Sequence, residues 1–492
     1  MDRRAPRIGM LAALVVLLAT APASAATILS AQVGVTPSGP VMASGFVGIS
    51  AEYKAIHAYT GSDPKAVDPV LLALLRGLAP GQRPVVRIGG NSTDSTWWPM
   101  RGVSPPGGIN YSLTGDWMRS TRALAAALGA RLIMGINLAG GRPKLARAEA
   151  RALLGGIGRR YIRALEIGNE ADLYGVLPWY QTRRGRLVFA RSAKYDLASF
   201  TREFSQWRAA LPAAPLAGPA FAELTWMNGL GGFLSAEPGL ALATFHRYPL
   251  RGCVQDPASP VYASIANLLS DQSSAGLAQE IAPYVIAAHA HGVPFRLDEL
   301  NSAACSGRRG TSDRFASALW VLDTLFNMAS VGVDGVNVHT LPGAAYQLFS
   351  VNRHAGRWHA FVHPDYYGMR MFAQAFPAGA RLLPVSAPGG AVKVWATRAP
   401  DGRSRVVLIN KDPVTPAVVR LGLAGTQSPA SAQALLAPSI EAISGVSFGG
   451  QSFGSETGSG ELRGTPHATP VYPSSGVYSV TLPAASAMLL TR

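Results

Sequence analysis

Ala164-Leu165-Glu166-Ile167-Gly168-Asn169-Glu170 reads as a short buried strand that stops at a glycine and carries a polar pair past its C-terminal end. Similar β-branched or apolar runs occupy 46–49, 85–88, 132–136, 215–217, 243–245, 295–297 and 335–338. Longer stretches with apolar residues at helical spacing lie between them, among them 70–78, 117–128, 198–211, 281–289 and 313–329. Eight strand-plus-helix units in succession predict an α/β fold, a (β/α)8 barrel. A doubly wound open sheet is the rival, but its dinucleotide-binding form needs Gly-x-Gly-x-x-Gly after the first strand, and the sequence has none.

From about residue 382 the periodicity changes to alternation without helices, at 391–396, 404–409, 417–421, 432–435 and 478–482, which predicts a β-sandwich. The Gly-, Ser- and Thr-rich stretch 449–470 reads as a long exposed loop. Upstream, Arg3, Arg4 and Arg7 flank an apolar run that ends near Ala23-Ser24-Ala25, the pattern of a cleaved export signal. The expected organisation is therefore a signal peptide at 1–25, an N-terminal segment at 26–41 that supplies an edge strand to the sandwich, a catalytic barrel at 42–380 and the sandwich at 381–492. The export signal implies a secreted or periplasmic protein with no membrane span after cleavage.

Apolar residues make up 48% of the 492 and charged residues only 15%, a balance that suits large buried cores and excludes a disordered or coiled-coil chain. The net charge of +16 favours acidic ligands such as uronic-acid glycans. Its arginines are scattered, with no run of five or six like charges, so no nucleic-acid partner is expected. Cys253 and Cys305 are the only cysteines, and both fall just beyond neighbouring barrel strands, so an exported chain is expected to pair them. His289-Ala290-His291 lacks a third ligand pattern, and neither metal nor cofactor is expected.

In such a barrel, catalytic groups sit at the C-terminal ends of strands. Glu170 follows the fourth run, and Glu299 follows the seventh in Arg296-Leu297-Asp298-Glu299-Leu300-Asn301, which brings two carboxylates from distant segments to one rim. Retaining glycoside hydrolysis needs such a pair: one carboxylate attacks the anomeric carbon, and a second carboxyl protonates the leaving oxygen and then activates water. Glu170 takes the acid/base role and Glu299 the nucleophilic one, and Asn169 is placed to hydrogen-bond the sugar 2-hydroxyl. Trp97, Trp98 and Trp179 lie past strand ends, where stacking on sugar rings and core packing are both open.

The chain resembles glycoside hydrolase family 79, the heparanase and β-glucuronidase family, from near Gly45 to Arg492. The matching stretches are Ile167-Gly168-Asn169-Glu170, Asp298-Glu299-Leu300-Asn301-Ser302, Arg87-Ile88-Gly89-Gly90-Asn91-Ser92-Thr93-Asp94, Tyr366-Tyr367-Gly368-Met369 and the closing Leu482-Pro483-Ala484-Ala485-Ser486-Ala487. The resemblance implies that Asp94 grips sugar hydroxyls, that Tyr248 orients the nucleophile and that Tyr346 contacts the uronate carboxylate. It implies a carbohydrate substrate, specifically a glucuronide. Ala304 stands where several members carry an aromatic residue, and Cys305-Ser306-Gly307 replaces a Gly-rich turn, while Arg308 and Arg309 offer charge nearby. A β-glycosidase of neutral sugars and a non-catalytic acidic-glycan-binding protein are the alternatives.

Overall fold

A computed structural model describes residues 26–387, 389–423 and 428–492; the export signal read at 1–25 lies outside them. Eight parallel strands close into a barrel: Val47–Glu52, Val85–Gly89, Arg131–Ile136, Ile162–Ile167, Leu216–Phe221, Leu242–Arg247, Phe295–Leu300 and Gly335–Thr340, numbered one to eight below. Strand eight pairs with strand one to complete the ring. Each apolar run of the sequence lies within or across one of these strands. Several strands extend further than the runs at their C-terminal ends, because polar residues there continue the ladder, as where His246 pairs with Glu299.

Local signals set the helices that surround the barrel. The Asp68 carboxylate accepts the Val70 N–H at 2.8 Å and Pro69 occupies the first turn, which starts the helix Pro69–Leu78. Thr114 caps Gly115–Leu128, and Gly129 ends it in the left-handed region at φ 63°. Phe315–Ser330 is buried along nearly its whole length because it lies between the barrel and the C-terminal domain. Phe326 stacks on Trp395 of that domain with ring centroids 5.4 Å apart, and Lys411 forms a buried ion pair with Asp323 at 2.5 Å. Tyr366-Tyr367-Gly368-Met369 serves this junction: the Gly368 backbone lies so close to Ala318 that a Cβ would stand 2.2 Å from its carbonyl oxygen.

The C-terminal domain is a sandwich of a four-stranded and a larger sheet, with a core of its own between them that includes Val406, Leu408, Val419, Tyr478 and Leu490. Thr27–Val33 joins the smaller sheet, but not at its edge: it runs parallel to Ala417–Leu423 on one side and pairs with Val385–Ser386 on the other. The chain leaving the barrel returns past this segment, which supplies the second partner. The stretch 449–470 is largely the exposed, irregular loop expected of it, but it is pinned at three points. Phe453 is buried against the rings of Tyr366 and Tyr367, Thr457 pairs with Ala360, and Gly460 packs where a Cβ would stand 2.5 Å from the Val70 carbonyl oxygen. Gly460, at φ 69°, lets the backbone lie close on the barrel at that point. Among the described residues no helix is long and apolar enough to cross a membrane.

Candidate active site

Glu170 and Glu299 meet at the C-terminal rim, where strands four and seven deliver them by different means. Strand four ends at Ile167, and the chain turns through Gly168 at φ 82° before Glu170 adopts φ 50°, a left-handed conformation that is strained for a residue with a side chain. The Glu170 N–H donates to the Ala220 carbonyl on strand five at 2.8 Å, which anchors the turn. Glu299 instead lies within strand seven, with its side chain 9% exposed against 20% for Glu170. One carboxylate oxygen of each, together with a ring nitrogen of His246, lie within 4.8 Å of one another.

Donors surround Glu299. The Tyr248 hydroxyl donates to Oε1 at 2.8 Å, Arg87 Nη1 donates to Oε2 at 2.6 Å, and His339 Nδ1 lies 3.7 Å from Oε2. Burial pushes this carboxyl up, but His339, His246, Arg87 and the Tyr248 hydrogen bond outweigh burial and hold it well below the usual carboxylate range. Burial and the neighbouring Glu299 charge push the Tyr248 phenol well up, so it remains a donor. Glu170 has one such partner, His246 Nδ1, 3.1 Å from Oε1. Glu170, His246 and Glu299 are also close enough to surround a cation. The Glu299 oxygens, however, already accept from a guanidinium and a phenol, and a cation there would face the Arg87 charge.

Asn169 is tied into the same network: its carbonyl oxygen accepts from Arg87 Nη2 at 2.9 Å, and its amide donates to Asn91 at 3.4 Å. Asp94 is buried at the loop beyond strand two and accepts from the Tyr174 hydroxyl at 2.7 Å and from the backbone N–H groups of Leu138 and Ala139 at 3.4 and 3.3 Å. Burial prevails over these bonds and pushes its carboxyl up to about 7. Tyr346 packs beside the pair, its ring 6.2 Å from that of Tyr248 and edge-on to His339 at 5.8 Å. Cys253 and Cys305 are disulfide-bonded, with Cα atoms 5.7 Å apart, and tie the loop after strand six to the loop after strand seven.

Other sequence candidates lie elsewhere. Arg308 donates to the Val254 carbonyl and sits over the Tyr262 ring, and Arg309 is exposed on the same loop. Trp97 and Trp179 are held by hydrogen bonds to Ser112 and to the Asp94 carbonyl. His289 pairs with Asp334 at 2.7 Å near the start of strand seven, away from the catalytic rim. Sequence reading missed Arg87, Glu166, His246, Asp298 and His339 as parts of the site. Their signal was present: each is a polar or charged residue inside a buried barrel strand, and a buried charge demands a partner.

Residues 394–489 match the model for the glycosyl hydrolase family 79 C-terminal beta domain. The family 79 resemblance holds. No curated protein matches the chain. Among solved structures, a 4-O-alpha-L-rhamnosyl-beta-D-glucuronidase from Fusarium oxysporum 12S superposes with a TM-score of 0.71 at 20% identity, over 94% of this chain and 100% of that one. A GH51 arabinofuranosidase from Xanthomonas axonopodis pv. citri gives 0.66 at 15% identity, over 94% and 99%. A GH30 endoxylanase from Clostridium papyrosolvens C71 gives 0.54 at 10% identity, over 94% and 99%. The barrel, the sandwich and the family 79 domain together are those of a glycoside hydrolase.

Proposed function

We propose that the protein is a retaining β-glucuronidase, exported from the cytoplasm, that hydrolyses glucuronides or uronic-acid-containing glycans. The observation that carries the mechanism is the approach of Glu170 and Glu299 to within 4.8 Å at the barrel rim. Ionised Glu299 attacks the anomeric carbon while Glu170 gives its proton to the leaving oxygen, so the glycosidic bond breaks as the glycosyl ester forms. Glu170, now a carboxylate, takes a proton from water, the resulting hydroxide attacks the anomeric carbon, and Glu299 leaves. Arg87 and Tyr248 hold the nucleophile ionised and aligned before attack.

The uronate reading is supported by the family 79 domain, by the glucuronide named for the Fusarium oxysporum enzyme and by the phenols of Tyr248 and Tyr346 beside the pair. Asp94 and Asn169 hold the sugar in this reading. A panel of chromogenic glycosides tests it: turnover of the β-glucuronide and none of the glucoside or xyloside is expected, and the reverse overturns the uronate assignment. Incubation with a 2-fluoro glucuronide should leave a sugar adduct on Glu299 that mass spectrometry locates. Inversion of anomeric configuration in the product, seen by NMR, would sink the two-step mechanism.

A further inference from the structure

Beneath the proposed catalytic pair, strands two, four, six and seven turn Arg87, Glu166, His246 and Asp298 into the barrel, where water does not reach them. Arg87 Nε donates to Glu166 Oε2 at 2.7 Å and lies 3.3 Å from Asp298 Oδ2. The other Asp298 oxygen lies 3.5 Å from His246 Nε2, on the opposite side of the ring from the nitrogen that faces Glu170. Oxygens of Glu166 and Asp298 and a ring nitrogen of His246 lie within 4.8 Å of one another. Among the described residues neither oxygen of Asp298 has a hydrogen-bond donor, and neither does Glu166 Oε1.

One guanidinium therefore faces three carboxyl groups, Glu166, Asp298 and Glu299. Its short bonds go to Glu166 and Glu299. Two adjacent buried carboxylates that must share one guanidinium repel each other strongly, and the usual resolution is that the pair keeps a proton. Arg296 on strand seven is the other cation near Asp298, but its Nε donates to Asn337 and its Nη2 to the backbone carbonyls of Gly45 and Phe46. Burial and the Glu166 charge push Asp298 well above the usual carboxylate range, whereas Arg87 overcomes burial at Glu166 and holds it below.

We propose that Glu166 and Asp298 share a single proton, so that Asp298 is a neutral positioning residue that braces His246 and leaves Arg87 free to grip Glu299. The charges of Arg87 and Glu166 cancel, and Glu299 holds the one net negative charge of this group. An ionised Asp298 would place a second anion beside the nucleophile and compete for the same guanidinium.

Difference infrared spectroscopy of the substrate-free protein at neutral pH tests the shared proton. A protonated-carboxyl C=O stretch present in the wild type should be missing from Asp298→Asn. It should also be missing from Glu166→Gln, where Asp298 loses its partner and ionises against Arg87. An unchanged band in both variants overturns the proposal. The kinetic arm rests on the glycosidase reading, whereas the infrared arm does not, so failure of one is distinguishable from failure of the other. Asp298→Ala, which leaves His246 unbraced, should lower kcat/KM about 10- to 100-fold. Asp298→Asn, a shape match for the neutral acid, should rescue most of that loss with the acid limb of the pH profile unmoved. Failure of this rescue, or a limb displaced by more than about half a pH unit, shows that Asp298 works as an anion.

Discussion

The ends of strands four and seven present the same chemical group in opposite settings. Glu299 lies within strand seven, where the ladder shifts register between Leu297 and Leu300, and is buried with Tyr248 and Arg87 donating to its two oxygens. Glu170 stands beyond its strand on a left-handed turn, more exposed, with His246, among the described residues, as its one side-chain hydrogen-bond partner. The first setting preserves charge and fixes direction, which a nucleophile requires. The second leaves a carboxyl free to exchange a proton, which an acid/base requires. Environment, not residue type, separates the two proposed roles.

Substitutions break this contrast in graded steps. Glu299→Gln removes the only group aimed to form the ester, and turnover of a chromogenic glucuronide should fall by about four orders of magnitude or more. Glu170→Gln should cost about 10²- to 10⁴-fold with a poor leaving group and far less with an activated phenol, whose departure needs no proton. A leaving-group series run on both variants thus tells the two carboxylates apart; equal sensitivity would erase the distinction.

Tyr248→Phe should slow kcat/KM about 10- to 100-fold, the effect of one hydrogen bond to a charged group. The sign of its pH effect follows from Glu299, whose folded-state pKa is depressed, so that activity is present above that pKa and lost as pH falls through it. Losing the Tyr248 donor raises that pKa, and the acid limb should move to higher pH. An unmoved limb would mean that the phenol does not support the ionised carboxylate. The smallest effect on catalysis should come from Cys253→Ser with Cys305→Ser, which frees the loops around strand seven but touches nothing at strand four. A disulfide closing a separation of 52 residues should be worth about 2–4 kcal/mol in thermal unfolding, with kcat nearly unchanged.

Much of the barrel could be read from sequence because its strands are buried on both faces and so form short apolar runs between amphipathic helices. The same rule concealed half of the site. Arg87 and Glu166 lie inside such runs and were read as strand residues, and Asp298 lies just past one, although a charge within a buried strand already signals a network. The stretch 449–470 is mostly exposed, as its Gly and Ser content suggested, but the points that pin it to the barrel could not be read from it: Phe453 is buried on two tyrosine rings and Gly460 packs on the helix Pro69–Leu78.

By itself the sequence determined the order of strands and helices, the two carboxylates at strand ends and the change to a sandwich, since all of these follow from local periodicity and turn chemistry. Only the closed barrel decided which charges share Arg87, how near Glu170 comes to Glu299, and that Asp298 has Glu166 for a neighbour. Those facts depend on side chains from strands far apart in the chain meeting in a space without water, and no local pattern encodes such distances.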